Sequence, residues 1–175
     1  MSLNNTYNIR HFKHSDAAAI VKYANNPKVS QNLRDRFPNP YTLKDARQWI
    51  ASALHVKPRT HFAIATHEEA IGSISLELQP DVNCKSAEIG YWLGEPFWGK
   101  GIATNAVRKV VEHAFQTYDL VRIYAYVYET NPASAKVLEK AGFSREGTLR
   151  KSVFKNGKIL DQFLYAILND DYQLK

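Results

Sequence analysis

The chain has 175 residues, of which 45% are hydrophobic, 23% charged and 12% aromatic, with only 8 Gly and 7 Pro; this excludes disorder and collagen-like repeats and predicts one packed domain over 1–175. Twenty-three Lys and Arg against 17 Asp and Glu leave a net charge of +6, which favours anionic partners such as nucleotides or phosphorylated cofactors without selecting one. The lone Cys84 permits no internal disulfide and no cysteine zinc site, and no window reaches the ~18 apolar residues of a membrane span, so a reducing, cytoplasmic setting is expected.

Tyr7 to Phe12 reads as a first strand. Ser15 or Asp16 is placed to cap a helix, AAAIVKYA, which Asn25-Asn26-Pro27 stops. Residues Lys28 to Pro40 are polar and turn-rich, a short helix and a loop. Thr42-x-x-Asp45 is a capping-box start, and Ala46, Trp49, Ile50, Ala53 and Leu54 fall on one face of the helix it opens.

Three strands follow, HFAIAT, AIGSISLELQ and AEIGYWLG, joined by short turns that favour adjacent antiparallel pairing. From Lys100 to Tyr118 apolar residues recur at helical spacing. Val121 to Tyr128 alternates apolar residues with Arg122, Tyr124, Tyr126 and Tyr128, a strand with two distinct faces. Asn131 caps a helix, PASAKVLEKA, with Pro132 suited to its first position and Gly142 to its stop. Strands around Phe143–Lys155 and Lys158–Leu168 meet at Asn156-Gly157, a type I′ hairpin signal.

The chemistry concentrates at two strand-to-helix junctions. In Glu95-Pro-Phe-Trp-Gly-Lys-Gly-Ile-Ala-Thr104, glycines at 99 and 101 let amide groups turn outward where a helix begins, and those amides with the positive dipole end make an anion site sized for a diphosphate. The third glycine of a Rossmann turn is missing, so a dinucleotide fold is not indicated. The second junction is Tyr128-Glu-Thr-Asn-Pro-Ala-Ser134, which leads into the helix ending at Ala141-Gly-Phe143.

The order strand, glycine turn, helix, strand, Asn-x-x-Ser, helix, Gly-Phe resembles the GCN5-related N-acetyltransferases (GNAT) over about residues 7–172. Trp-Gly-Lys-Gly-Ile-Ala-Thr, Asn131-Pro-Ala-Ser134, Lys140-Ala-Gly-Phe143 with Glu146-Gly147, and Asp161 are similar to the branch that acetylates N-termini of ribosomal proteins, the RimJ/RimL-like enzymes. The resemblance implies a mixed α/β fold, a central mostly antiparallel sheet with two splayed parallel strands and flanking helices, and acetyl-CoA as cosubstrate. The family motif Arg/Gln-x-x-Gly-x-Gly/Ala falls on Trp98 to Ala103; Gly101 and Ala103 match and Trp98 departs, leaving the amides of Gly99, Lys100, Gly101, Ile102, Ala103 and Thr104 as the pyrophosphate cradle. Lys100 reads equally as a phosphate contact or as a solvated charge at a helix start.

The same resemblance lines the cosubstrate with Tyr91, Trp92 and Leu93, takes oxyanion donors from amides near Gly90 to Leu93, and gives the pantetheine arm to Asn131. An amine acetyltransferase needs a neutral amine, donors for the oxyanion and a proton for the departing thiolate. The tyrosine that many relatives carry seven positions after the Asn is here Leu138, so Ser134 is the expected acid and Glu88 the expected base. Tyr124, Tyr126 and Tyr128 either line the amine site or pack against a helix, and Asp161 either holds Arg150 across the hairpin or orients substrate.

The expected enzyme is therefore an acetyl-CoA-dependent N-acetyltransferase acting by direct attack, without metal, as a monomer or homodimer. A protein or peptide α-amine is the first-choice acceptor. A small amine (amino acid, polyamine or aminoglycoside) is the alternative, and a catalytically silent acetyl-CoA-binding module is the rival class. Nucleic acid is not an expected partner, because the cations of Arg145 to Lys158 lack interleaved aromatics.

Overall fold

The computed structural model describes residue 1 and residues 6–173; the opening and closing residues of the 1–175 domain reading, 2–5 and 174–175, lie outside the described residues. Seven strands hydrogen-bond in the order β1-β2-β3-β4-β5-β7-β6: β1 Asn8–His11, β2 His61–Ala65, β3 Ala70–Leu78, β4 Ser86–Leu93, β5 Arg122–Tyr128, β6 Ser144–Lys155 and β7 Lys158–Leu168. The helices are α1 Ala17–Ala24, α2 Pro27–Ser30, α3 Leu43–His55, α4 Ile102–Thr117, α5 Pro132–Ala141 and α6 Asn169–Gln173. This is the expected mixed α/β class. The chain divides into two compact units, residues 1–75 with 91–106 and residues 76–90 with 107–175.

In the first unit β1, β2 and β3 pair antiparallel. The Thr42 hydroxyl accepts the Asp45 N–H while the Asp45 carboxylate accepts the Thr42 N–H at 2.8 Å, so the capping box starts α3 as its spacing predicts; such a cap is worth about 1 kcal/mol. Ala46, Ile50 and Ala53 of α3 join Ile20 and Ala24 of α1 in a core that includes Phe12, Tyr41 and Ala63, with Trp92 packed against it. Asp16 departs from its expected role. Its side chain does not cap α1; it takes both Nη atoms of Arg10 at 2.7 Å and the Lys13 N–H at 2.8 Å. A carboxylate only 5% exposed is held by the guanidinium, a stronger partner than a helix amide.

In the second unit the β4/β5 ladder is parallel and has three pairs, Ser86↔Arg122, Ala87↔Ile123 and Glu88↔Tyr124. On its other side β5 stays paired along its whole length, from Arg122↔Leu168 to Tyr128↔Gln162. From Ala125 onward one edge of β5 thus lies outside the β4 ladder. Ile123, Ala125 and Val127 are buried on one face, as their alternation predicts. The Asn131 side chain accepts the Ser134 N–H at 3.2 Å to start α5, and Gly142 closes that helix at φ 102°. Asn156 and Gly157 both have positive φ, 51° and 76°, the geometry of the predicted I′ turn.

Candidate active site

The segment after β4 is built to leave amides exposed. Glu95–Phe97 forms a 3-10 turn, which periodicity did not reveal. Gly94 N–H is tied to Ile71 O at 2.8 Å, and Gly94 lies so close to the Tyr23 ring that a Cβ there would stand 2.9 Å from it. Glu95 accepts from Asn26 Nδ2 at 2.8 Å and pairs with Lys28; the Lys28 and Asn26 hydrogen bonds hold its carboxyl below the ordinary range. Trp98, which departs from the Arg or Gln that the resemblance implies at its position, donates its indole Nε1–H to Leu93 O at 2.7 Å. The turn from 93 to 98 is closed on itself.

Beyond this closure Gly99 and Gly101 adopt φ 75° and 74°, a left-handed backbone that costs L side chains about 1–2 kcal/mol. No atom lies within 4 Å of where a Cβ would stand on either. Among the described residues, the amides of Gly99, Lys100, Gly101, Ile102, Ala103 and Thr104 have no acceptor within the chain, whereas the next, Asn105 N–H, donates to Gly101 O at 3.0 Å. Six consecutive donors at the N-terminus of the 16-residue α4 form an anion cradle by charge and by geometry. A diphosphate fits that donor set. The Ile102 side chain is buried, so it offers its amide alone. Thr104 is largely buried, and Ala103 is half-buried. The Lys100 ammonium lies 5.7 Å from the Phe97 ring centroid on an exposed side chain.

Tyr91 and Trp92 are half-buried and Leu93 is buried. The Trp92 ring meets Phe37 edge-on at 5.7 Å and packs against the core of the first unit. In the second unit Glu88 is half-buried between the buried Ala87 and Ile89 and opposes Tyr124 in the parallel register. Asn131 and Ser134 share the first turn of α5, Ser134 half-buried. The tyrosines divide: Tyr128 is buried, Tyr126 is exposed, and Tyr124 meets Tyr126 edge-on at 5.6 Å.

Asp161 does not hold Arg150. Its Oδ1 accepts the Lys151 N–H at 2.8 Å, its own N–H donates to the Glu129 carboxylate at 2.8 Å, and its carbonyl accepts the Glu129 N–H at 3.1 Å. Two pairs escaped the sequence reading, Arg122 bound bidentately to Glu146 and the Arg145 guanidinium 3.5 Å over the Phe163 ring. Arg122 raises no local hydropathy signal, and 24 residues separate it from Glu146. Among the described residues there is no cluster of metal-ligating side chains and no helix long and apolar enough to cross a membrane.

A helix opened by amides without acceptors, and a mixed sheet whose parallel β4/β5 ladder stops after three pairs, are features that the resemblance to acyl-CoA-dependent transferases implies. A family model described as an acetyltransferase (GNAT) domain matches residues 7–144. Over 130 residues the chain is 38% identical to a ribosomal-protein-serine acetyltransferase of Escherichia coli (strain K12), covering 73% of this chain and 72% of that protein. Two solved structures share the fold at 24% identity: RimL, a ribosomal L7/L12 α-N-protein acetyltransferase in complex with coenzyme A (TM-score 0.86, 97% of this chain and 98% of that one), and a Vibrio cholerae spermidine N-acetyltransferase in complex with CoA and spermine (TM-score 0.81, 97% and 99%). The chain belongs to the GNAT acetyltransferase family and is an acetyl-CoA-dependent N-acetyltransferase.

Proposed function

We propose that residues 1–175 act as a single cytoplasmic acetyltransferase domain whose acceptor is the α-amine of a protein or peptide, in the manner of the RimJ/RimL-like branch. The observation that carries the cosubstrate half of this reading is the run of six acceptor-less amides from Gly99 to Thr104. These amides hold the pyrophosphate, with Lys100 beside them. In the second unit Asn131 caps α5 with one side-chain atom and offers the rest of its amide to the pantetheine arm; in the first, the resemblance gives the cosubstrate the backbone of Tyr91, Trp92 and Leu93.

Acetyl-CoA supplies an activated acyl thioester, so the protein has no covalent intermediate to form. Glu88 takes a proton through water from the acceptor ammonium, the neutral amine attacks the thioester carbonyl, amides of Gly90 to Leu93 meet the oxyanion, and as the C–S bond breaks the Ser134 hydroxyl gives a proton to the departing thiolate. The acceptor class follows from acidity and charge. An α-amine with pKa about 7.7–8.0 is roughly one-third neutral at pH 7.5, against about 0.1% for a lysine. The net charge of +6 works against polycationic acceptors. The 38% identical ribosomal-protein-serine enzyme supports a protein acceptor; the spermidine enzyme shares the fold and keeps small amines in the screen.

Thiol release from acetyl-CoA, followed with peptides bearing free α-amines and with amino acids, polyamines and aminoglycosides, tests the reading. Peptides turn over with the highest kcat/KM. A polyamine preferred over every peptide overturns the acceptor, and acetyl-CoA binding without release on any amine favours a silent module.

A further inference from the structure

The β6/β7 hairpin carries a feature that the acetyl-transfer scheme does not use. Between Leu149↔Gln162 and Val153↔Leu160 three residues of β6, Arg150, Lys151 and Ser152, oppose the single Asp161 of β7. Such a bulge re-aims side chains away from the pleat. It is a built one. Lys151 sits at φ 53°, its N–H is held by the Asp161 carboxylate, and the Ser152 hydroxyl donates to Leu149 O at 2.9 Å. Through the reciprocal backbone and side-chain bonds of Asp161 with Glu129, the bulge is fastened two residues before Asn131, at the junction that opens α5.

The carboxylates of this region are engaged: Glu146 by Arg122, Asp161 and Glu129 by backbone N–H groups. Arg150, Lys151 and Lys158 are exposed and, among the described residues, have no carboxylate partner. At the hairpin tip Phe154 and Ile159 face each other across the ladder, 71% and 64% exposed. Exposed cations on a bulge whose backbone is held, with an apolar pair nearer the tip of the same hairpin, match a polypeptide that carries acidic side chains. RNA is the poorer match, since Phe154 is the only exposed aromatic on the hairpin among the described residues and stacking platforms use successive aromatics.

We propose that Arg150 and Lys151 select acceptor polypeptides with Asp or Glu in the few residues after the N-terminus. This rests on the reading of Asn131 and Ser134 as the thioester end of the site. An extended chain advances about 3.3 Å per residue, so the residues just after the acceptor amine are those that pass a bulge anchored at Glu129.

The test uses the full chain and peptides that share the first residue and differ at positions two to five, being acidic, neutral or basic there. The acidic peptide has a kcat/KM roughly 3- to 30-fold above the neutral one, the range that two exposed charge contacts supply, and the advantage shrinks as salt is raised. In Arg150→Glu/Lys151→Glu the order reverses and the basic peptide leads; Arg150→Lys/Lys151→Arg keeps the original order. Equal rates on all three peptides, or an equal loss on all three in the charge-reversed variant, overturns the proposal. Fluorescence anisotropy of the labelled acidic peptide, measured without acetyl-CoA, decides it independently of turnover. Binding lost on charge reversal upholds the docking surface even if no peptide is acetylated and the proposed acceptor fails. Binding that is unchanged, or weaker than that of a single-stranded RNA of equal charge, refutes it.

Discussion

Replacing Gly101 by Ala separates the cost of backbone strain from the cost of blocking the cradle. At φ 74° an alanine pays about 1–2 kcal/mol in conformational strain, partly offset by about 0.4–1 kcal/mol from its stiffer unfolded chain. No atom lies within 4 Å of the added Cβ, so no clash adds to this. The net loss of about 1 kcal/mol lowers Tm by roughly 2–4 °C, measurable by differential scanning fluorimetry. Acetyl-CoA binding has much more to lose. The methyl occupies the space through which the 99–104 amides reach an anion, and loss of one charge-assisted hydrogen bond is worth about 1.5–3 kcal/mol, a ~10- to 100-fold rise in Kd by calorimetry. Gly157→Ala is the matched control: its φ is 76° and its Cβ space is equally open, so it shows the same Tm loss with an unaltered Kd. If Gly101→Ala loses stability as Gly157→Ala does and still binds acetyl-CoA like the parent chain, the amides of 99–104 are not the phosphate site.

Three further outcomes are expected. Ser134→Ala slows turnover at least ~10-fold under conditions where chemistry is limiting, because a positioned acid is typically worth ~10²–10⁴; pre-steady-state thiol release checks this, and an unchanged rate removes Ser134 from the chemistry. Asn131→Ala removes the cap that accepts the Ser134 N–H, lowering stability by about 1 kcal/mol and weakening acetyl-CoA binding as well, whereas Asn131→Asp keeps the cap. Burial by itself would push the Asp16 carboxyl up, but the hydrogen bonds and charge of Arg10 and the Lys13 N–H hold it below its ordinary value. A depressed carboxyl contributes stability that is fully present above its unfolded pKa of about 3.9 and is lost as pH falls through the lower folded value. Chemical denaturation across pH 2–5 should therefore show a loss on the acid side that Asp16→Asn flattens, and Arg10→Leu should cost about 3–5 kcal/mol by stranding a buried charge.

Local signals were legible in the sequence because the partners they need are close along the chain. Thr42 with Asp45, Asn131 with Ser134, Gly142 and the Asn156-Gly157 turn all act within a few residues, and each appears in the structure as its spacing predicts. Asp16 looked like a helix cap because its true partner, Arg10, projects from a separate strand, β1. The clamp of Glu95 by Asn26 and Lys28 joins residues nearly 70 positions apart, and no periodicity encodes it. The bulge at 150–152 was hidden for a different reason: a shift of register leaves composition unchanged and appears only when the facing strand is in place. Trp98 is the instructive site residue. The sequence marks it as a departure from Arg or Gln, while the structure shows an indole N–H bound to Leu93 O, a donor turned inward to close the turn instead of outward to a ligand.

The most direct test of the account is to incubate the full chain with acetyl-CoA and a peptide that carries both a free α-amine and an internal lysine, and to locate the acetyl group by fragmentation mass spectrometry while the released thiol is counted. One acetyl group appears on the α-amine per thiol released and none on the lysine. Acetylation of the lysine with the α-amine untouched, or thiol release with the peptide unmodified, would contradict it.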